Sequence, residues 1–275
     1  MIRRRATRDQ HGFTLVEMMI GMVLGLLLLA GVINIFLGGR QSYQLQEGFS
    51  RLQENGRFAM DVFGVNMRHA GFKPNALGVD DFTFSASATA IAPTVATFGT
   101  AFQVVTGTDN NAASADIIRD GTDTLSFRFR STGTGVPAPL ADCLGATPSA
   151  GTLVINTLYV RTPENELHCR DVTGPPQPML DGVEGMQVLY GVDTDGDFNR
   201  TANRYSTAAT VTASGDWARI VSVRVALLLS TVEGVTNTPD TTTYILLNNT
   251  AVGPFNDRLR RHVFTTTIAL RNLLP

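Results

Sequence analysis

The sequence holds little with which to do chemistry. It has two cysteines and four histidines in 275 residues. His11, His69, His168 and His262 are scattered along the chain. There is no Gly-x-Ser-x-Gly elbow, no His-Glu-x-x-His pair and no phosphate-binding glycine loop, so no motif-bearing enzyme is indicated. His168 stands beside Cys169, yet the Cys-x-x-Cys spacing of a zinc site is missing. No fixed-period repeat occurs, which excludes a solenoid or propeller. Net charge is −2 at pH 7, the wrong balance for a strongly basic nucleic-acid binder, and no direct nucleic-acid binding is expected.

What the chain does have is one long apolar run. Phe13 to Leu37 contains a single ionisable side chain, Glu17. At about 1.5 Å per residue, a helix of that length covers roughly 37 Å, enough to cross a hydrocarbon core of about 30 Å. All of its backbone amides can be satisfied within the helix. Glu17 is the anomaly. A carboxylate near the centre of a membrane helix costs roughly 2.5–3.5 kcal/mol, so its presence asks for a reason.

The flanks orient the run. Arg3, Arg4, Arg5 and Arg8 precede it against one acid, Asp9, a bias that keeps the N-terminus in the cytoplasm and sends the rest across. A cleaved secretory signal would have an apolar core of about 7–15 residues followed by a small-residue cleavage site, and neither is seen. No cysteine stands at the junction to take a lipid. On these features alone the segment reads as an uncleaved signal anchor.

Gly12-Phe13-Thr14-Leu15-Val16-Glu17, taken as a unit, resembles the type IV prepilin signature. That resemblance implies cleavage by prepilin peptidase after Gly12, N-methylation of the new N-terminal Phe13, and a role for Glu17 in subunit assembly. Its carboxylate could pair with the ammonium of a neighbouring subunit's Phe13, relieving both groups of lipid exposure. Loss of a leader with four arginines and one aspartate would take the net charge from −2 to about −5.

Downstream, the helical pattern turns amphipathic. Leu45, Phe49, Leu52, Ala59, Phe63 and Met67 fall on one face, and Gly71 and Pro74 supply the stop. Gly48, Gly56 and Gly64 lie within the helix as bends, as sites of close approach, or as ordinary tolerated glycines. Segments 42–47, 51–61 and 67–72 resemble the PilW-type minor pilins, as do 181–193 and 263–272. Unlike the major pilins, no proline interrupts the apolar run, and Asn34 sits where theirs commonly is. No melted segment is therefore implied here.

Residues 78–116 are rich in Ala, Thr, Ser, Gly and Asn, and read as loop with short extended pieces, one of them at 101–105. From 117 the period becomes two. Leu125, Phe127 and Phe129 alternate with Ser126, Arg128 and Arg130, predicting a half-buried strand. Further strands are predicted at 153–161, 186–192, 218–230, 244–248 and 263–270. The fold class is α+β and type IV pilin-like, with a mainly antiparallel β domain packed on the exposed half of the helix. The divisions are a leader at 1–12, the helix at 13–70 with its span at 13–37, and the β-rich domain at 71–275.

Cys143 and Cys169 both lie past the span, on the oxidising side of an envelope, and predict a disulfide, the alternative being two buried thiols. Asp193, Asp195 and Asp197 alternate as calcium ligands do. An EF-hand reading fails, because Phe198 and Arg204 stand where glycine and glutamate are needed. A looser calcium site and a plain polar turn remain, with the turn preferred. No other cofactor is expected. Arg258, Arg260, Arg261 and His262 read as a solvated approach to the last strand or as a contact to an acidic neighbour.

The PilW resemblance implies a minor pilin, not an enzyme, that primes assembly of a type IV pilus and enters it near the tip. The implied partners are prepilin peptidase, the major and other minor pilins, the inner-membrane assembly platform and a large tip adhesin. The implied location is the bacterial inner membrane, single-pass with a periplasmic C-terminal domain, then the pilus on the cell surface. A minor pseudopilin of a type II secretion system shares the N-terminal logic. A signal-anchored envelope protein with binding or enzymatic activity is the alternative of a different class.

Overall fold

The computed structural model describes residues 12, 14–74, 84, 87–91, 94–100, 102–110, 118–136, 139–171, 174–197, 200–247 and 251–273. The Arg3–Arg8 leader and Phe13 lie outside them, as do parts of the 78–116 stretch. One helix, α1, runs from Leu15 to His69. The chain divides into two compact units, Met1–Glu47 and Gly48–Pro275.

In the first unit α1 passes through Asn34 without a break. The Asn34 side chain donates to the carbonyl of Ala30, four residues back, at 2.9 Å, so the polar group is satisfied inside the helix. Every large apolar side chain from Leu15 to Leu37 is exposed, from Ile33 at 48 % to Ile35 at 77 %. This stretch is long and apolar enough to cross a membrane.

In the second unit α1 becomes one-sided. Leu52, Gly56, Ala59, Phe63 and Met67 are buried at spacings of four, three, four and four, the stripe that a 3.6-residue period lays on one face. Phe49, assigned to that face by pattern, is exposed instead. Two of the three glycines mark close approach. A Cβ on Gly56 would land inside the Phe264 ring, and one on Gly48 would meet Val235, whereas Gly64 borders open space. The helix ends where Gly71 adopts a φ of +78°, a conformation that suits glycine. Asn272 donates to the carbonyls of Arg68 and Ala70 at 2.7 and 3.0 Å, and so satisfies groups that a helix end leaves open.

The rest of this unit is antiparallel sheet. Strands β1 (Ser87–Ile91) and β2 (Thr94–Phe98) pair antiparallel within the stretch read as loop with short extended pieces. Five strands follow one another in a meander: β3 (Val105–Thr108), β4 (Thr124–Arg130), β5 (Leu153–Arg161), β6 (Glu166–Arg170) and β7 (Gln177–Asp181). A second sheet has the order β11-β10-β8-β9, from β8 (Val183–Val192), β9 (Arg204–Ser206), β10 (Ile220–Ser230) and β11 (Arg261–Ala269). A short helix, α2 (Ala208–Ser214), is capped by Thr207 and by Gly215 at a φ of +75°. One core unites Phe63 and Met67 of α1 with Phe127, Phe129, Val223 and Leu227 of the two sheets.

Three strand expectations need correction. The predicted strand at 244–248 is an isolated bridge between Tyr244 and Val252. The extended piece placed at 101–105 begins only at Val105. Strand β4 is buried on both faces rather than one. Its Arg128 is fully buried between the rings of Phe84 and Phe98, at 4.8 and 4.5 Å, and donates to the carbonyls of Gln103 and Thr100 at 2.7 and 2.8 Å. Burial, with Arg130 nearby, lowers the Arg128 guanidinium to about 10.

Candidate functional site

Gly12 is exposed and stands ahead of the helix, whose first residue is Leu15. Thr14 and Glu17 close that end as a reciprocal pair. The Glu17 amide donates to Thr14 Oγ1 at 3.2 Å, and the Thr14 amide and hydroxyl donate to Glu17 Oε2 at 3.0 and 3.1 Å. This is a capping box, in which a threonine and a glutamate three residues later satisfy each other's orphan amides. A carboxylate in the first turn also meets the positive end of the helix dipole. The signal was present in the sequence as Thr14-x-x-Glu17. Glu17 thus has a local partner on one oxygen, and Oε1 carries no hydrogen bond among the described residues. It can hold the helix end and still accept from a second donor.

The Asp193–Asp197 loop is a hydrogen-bonded polar turn. Asp193 Oδ1 accepts from the Gly196 amide at 2.9 Å, and Asp195 Oδ1 accepts from the Asp197 amide at 3.3 Å. Asn203 donates to Asp195 Oδ2 at 2.8 Å and accepts from the Thr194 amide at 2.7 Å. The Asp197 amide is the main cause that lowers the Asp195 carboxyl from its ordinary value. The three carboxylates can bring one oxygen each within 4.8 Å of one another. Calcium takes about six to eight oxygens, so these three residues offer at most part of a shell.

Cys143 and Cys169 form a disulfide with their Cα atoms 6.2 Å apart. It ties the loop before β5 to the buried face of β6. Asp142 shapes that loop by accepting from the amides of Leu144 and Ala146 at 2.9 Å each.

The basic cluster before the last strand is not uniformly solvated. Arg261 is buried, stacked 3.7 Å from the Phe255 ring centroid, and paired with Glu184, Asp240 and Asp257. Burial opposes its charge, but hydrogen bonds to Asp257 and Glu184 outweigh that and raise the guanidinium above its ordinary value. Only Arg258, Arg260 and His262 keep the surface role expected of the cluster.

The prokaryotic N-terminal methylation motif matches residues 7–33, and Type IV Pilus-assembly protein W (PilW) matches residues 146–272. The chain is type IV pilin-like, with an N-terminal methylation motif and a PilW-like segment. The first match contains Gly12, Thr14 and Glu17, and the second runs from the loop before β5 to just past the end of β11. The segments 181–193 and 263–272 fall inside the PilW match, whereas 42–72 lie outside it. No curated protein matches significantly. Among solved structures, the type IV-like pilin TTHA1219 from Thermus thermophilus aligns with a TM-score of 0.42 and 13% identity, over 82% of this chain and 100% of that one. That likeness is too slight to bear on function. The methylation motif implies processing by prepilin peptidase and association with pilus components, and together the family matches point to a structural component rather than an enzyme.

Proposed function

We propose that this PilW-like protein is a minor pilin that helps to prime a type IV pilus and is built into it near the tip. The leader is removed between Gly12 and Phe13, and the new Phe13 amine is methylated. The span anchors the chain in the inner membrane, with its second unit in the periplasm, until it joins the filament with other pilins and a tip adhesin. The observation that carries this reading is the placement of Glu17. It lies five residues past Gly12, inside the matched methylation motif and at the head of the otherwise apolar first stretch of α1. Its Thr14 partner occupies one carboxylate oxygen, which leaves the other for the ammonium of a neighbouring Phe13.

The test is an in-frame deletion scored for surface pili and twitching beside secretion of extracellular enzymes, complemented with wild type or Glu17→Ala. Loss of pili with secretion intact supports the proposal. Intact pili with failed secretion would move the protein to a type II secretion pseudopilus. Glu17→Ala is expected to be cleaved normally and to enter filaments poorly; normal incorporation would defeat the role given to Glu17.

A further inference from the structure

Each open sheet presents two edges whose outward backbone groups can template another strand, and folded proteins usually blunt them. Three of the four edges of the two larger sheets are blunted here. Strand β3 has four residues and β9 has three. Where β8 runs on past β9, Asp123 closes it. The Asp123 amide donates to Met186 O at 2.9 Å, and its carboxylate accepts from the Val188 amide at 2.7 Å. Strand β7 carries Pro178, an exposed Asp181 and a register shift against β6.

Strand β11 has none of these protections. It is nine residues long and pairs with β10 throughout without a register shift. From Val263 to Ala269 it holds no charge and no proline. Its pairing parity is set by hydrogen bonds from the Leu270 amide to Val221 O and from the Thr231 amide to Arg260 O. Antiparallel pairs alternate, so Phe264, Thr266 and Ile268 turn their backbone groups to β10. Those of Val263, Thr265, Thr267 and Ala269 then point outward. Among the described residues, no hydrogen bond reaches these outward groups. Thr265, Thr267 and Ala269 are exposed.

We infer that the outer edge of β11 is a docking site that accepts, by strand addition, an extended segment of another protein. Main-chain hydrogen bonds supply the affinity in such pairings, and flanking side chains supply the choice of partner. The flanks here are basic at both ends, with Arg258 and Arg260 just before the strand and Arg271 just after it. The occupant is therefore uncharged in its middle and acidic toward its ends. A second copy of this chain, paired antiparallel across the same edge, would set Arg258 and Arg260 against Arg271, a like-charge contact that disfavours it. The inference rests on the sheet and its charges and does not require the pilus reading.

The test uses the full chain in its own cells, with a photo-crosslinking residue at Ala269 and adducts mapped by mass spectrometry. Thr265→Pro removes one outward donor and leaves the ladder to β10 intact, a substitution that an edge strand tolerates. The expected result is an adduct to an acid-flanked extended segment of a second protein, diminished several-fold by Thr265→Pro. Folding of that variant is checked by protease resistance. Should it misfold, Arg258→Glu with Arg260→Glu gives the same reading through charge alone. No adduct, an adduct between two copies, or an adduct undiminished in a folded variant would overturn the inference.

Discussion

Between Leu15 and Leu37 the helix exposes every large apolar side chain, whereas between Leu52 and Met67 the same helix buries a single stripe to 2 % exposure or less. The composition explains the contrast. The first segment is apolar all round and has no face to turn inward, which suits a surrounding that is itself apolar. The second carries Arg51, Glu54, Arg57 and Asp61 between its apolar positions, and so tells one side from the other. One helix thus serves two solvents, and only its second half contributes to a folded core.

The sharpest way to break this comparison is to truncate one residue in each half. Phe63→Ala should cost the domain about 3–5 kcal/mol, the range for losing a buried aromatic. Leu27→Ala should leave domain stability within about 0.5 kcal/mol, as expected for an exposed position. Urea unfolding of the full chain in detergent measures both. Equal losses would mean that the first half belongs to the folded core after all.

Gly56 tests how tightly the second half is held. In an isolated helix Gly→Ala gains about 1 kcal/mol, but here the methyl meets the Phe264 ring. Gly56→Ala should therefore destabilise by about 1–3 kcal/mol, an overpacking cost. In a Phe264→Ala background the sign should reverse. A stabilising Gly56→Ala in the native background would show that the helix does not lie on β11.

A further test separates the halves by pH. Among the described residues Glu17 is the sole ionisable group from Gly12 to Leu37, while the second unit buries Asp123. Burial raises the Asp123 carboxyl from 3.8 to about 7, against the amides of Asn110 and Val188 that favour its charge. The folded state then binds the proton more tightly than the unfolded state. That contribution to stability is fully present below about pH 3.8 and is lost as pH rises toward 7. Asp123→Asn should flatten the fall in unfolding free energy between pH 4 and 7 relative to wild type. Identical slopes would remove Asp123 as the cause.

These contrasts also show what could be read from residue order. Runs with a clear period are legible: the helix, β4, β5 at 153–161, the whole of β10, and most of β8 and β11. The Cys143–Cys169 pair was legible too. Strands β6 and β7 were not, because Glu166–Arg170 and Gln177–Asp181 are short and mixed, one with a proline, and gain their form by pairing with neighbours. The β1–β2 pair lies in a stretch of small residues without a strong pattern. Read locally, Arg128 belongs to the polar face of a half-buried strand and Arg261 to a short basic cluster. Their burial depends on Phe98 in one case and on Glu184 and Asp240 in the other, partners that no local window contains. At the helix head, the methylation motif is legible from the spacing of Gly12 and Glu17. The Thr14–Glu17 capping box is a local signal at the same helix head.

The central claim is that the apolar half is a processed pilin N-terminus rather than a permanent anchor. Mass spectrometry of the chain's N-terminal peptide, isolated from envelope and sheared-filament fractions, tests it directly. The account predicts a peptide that begins at N-methylated Phe13. A peptide that still begins at Met1 in both fractions would contradict it.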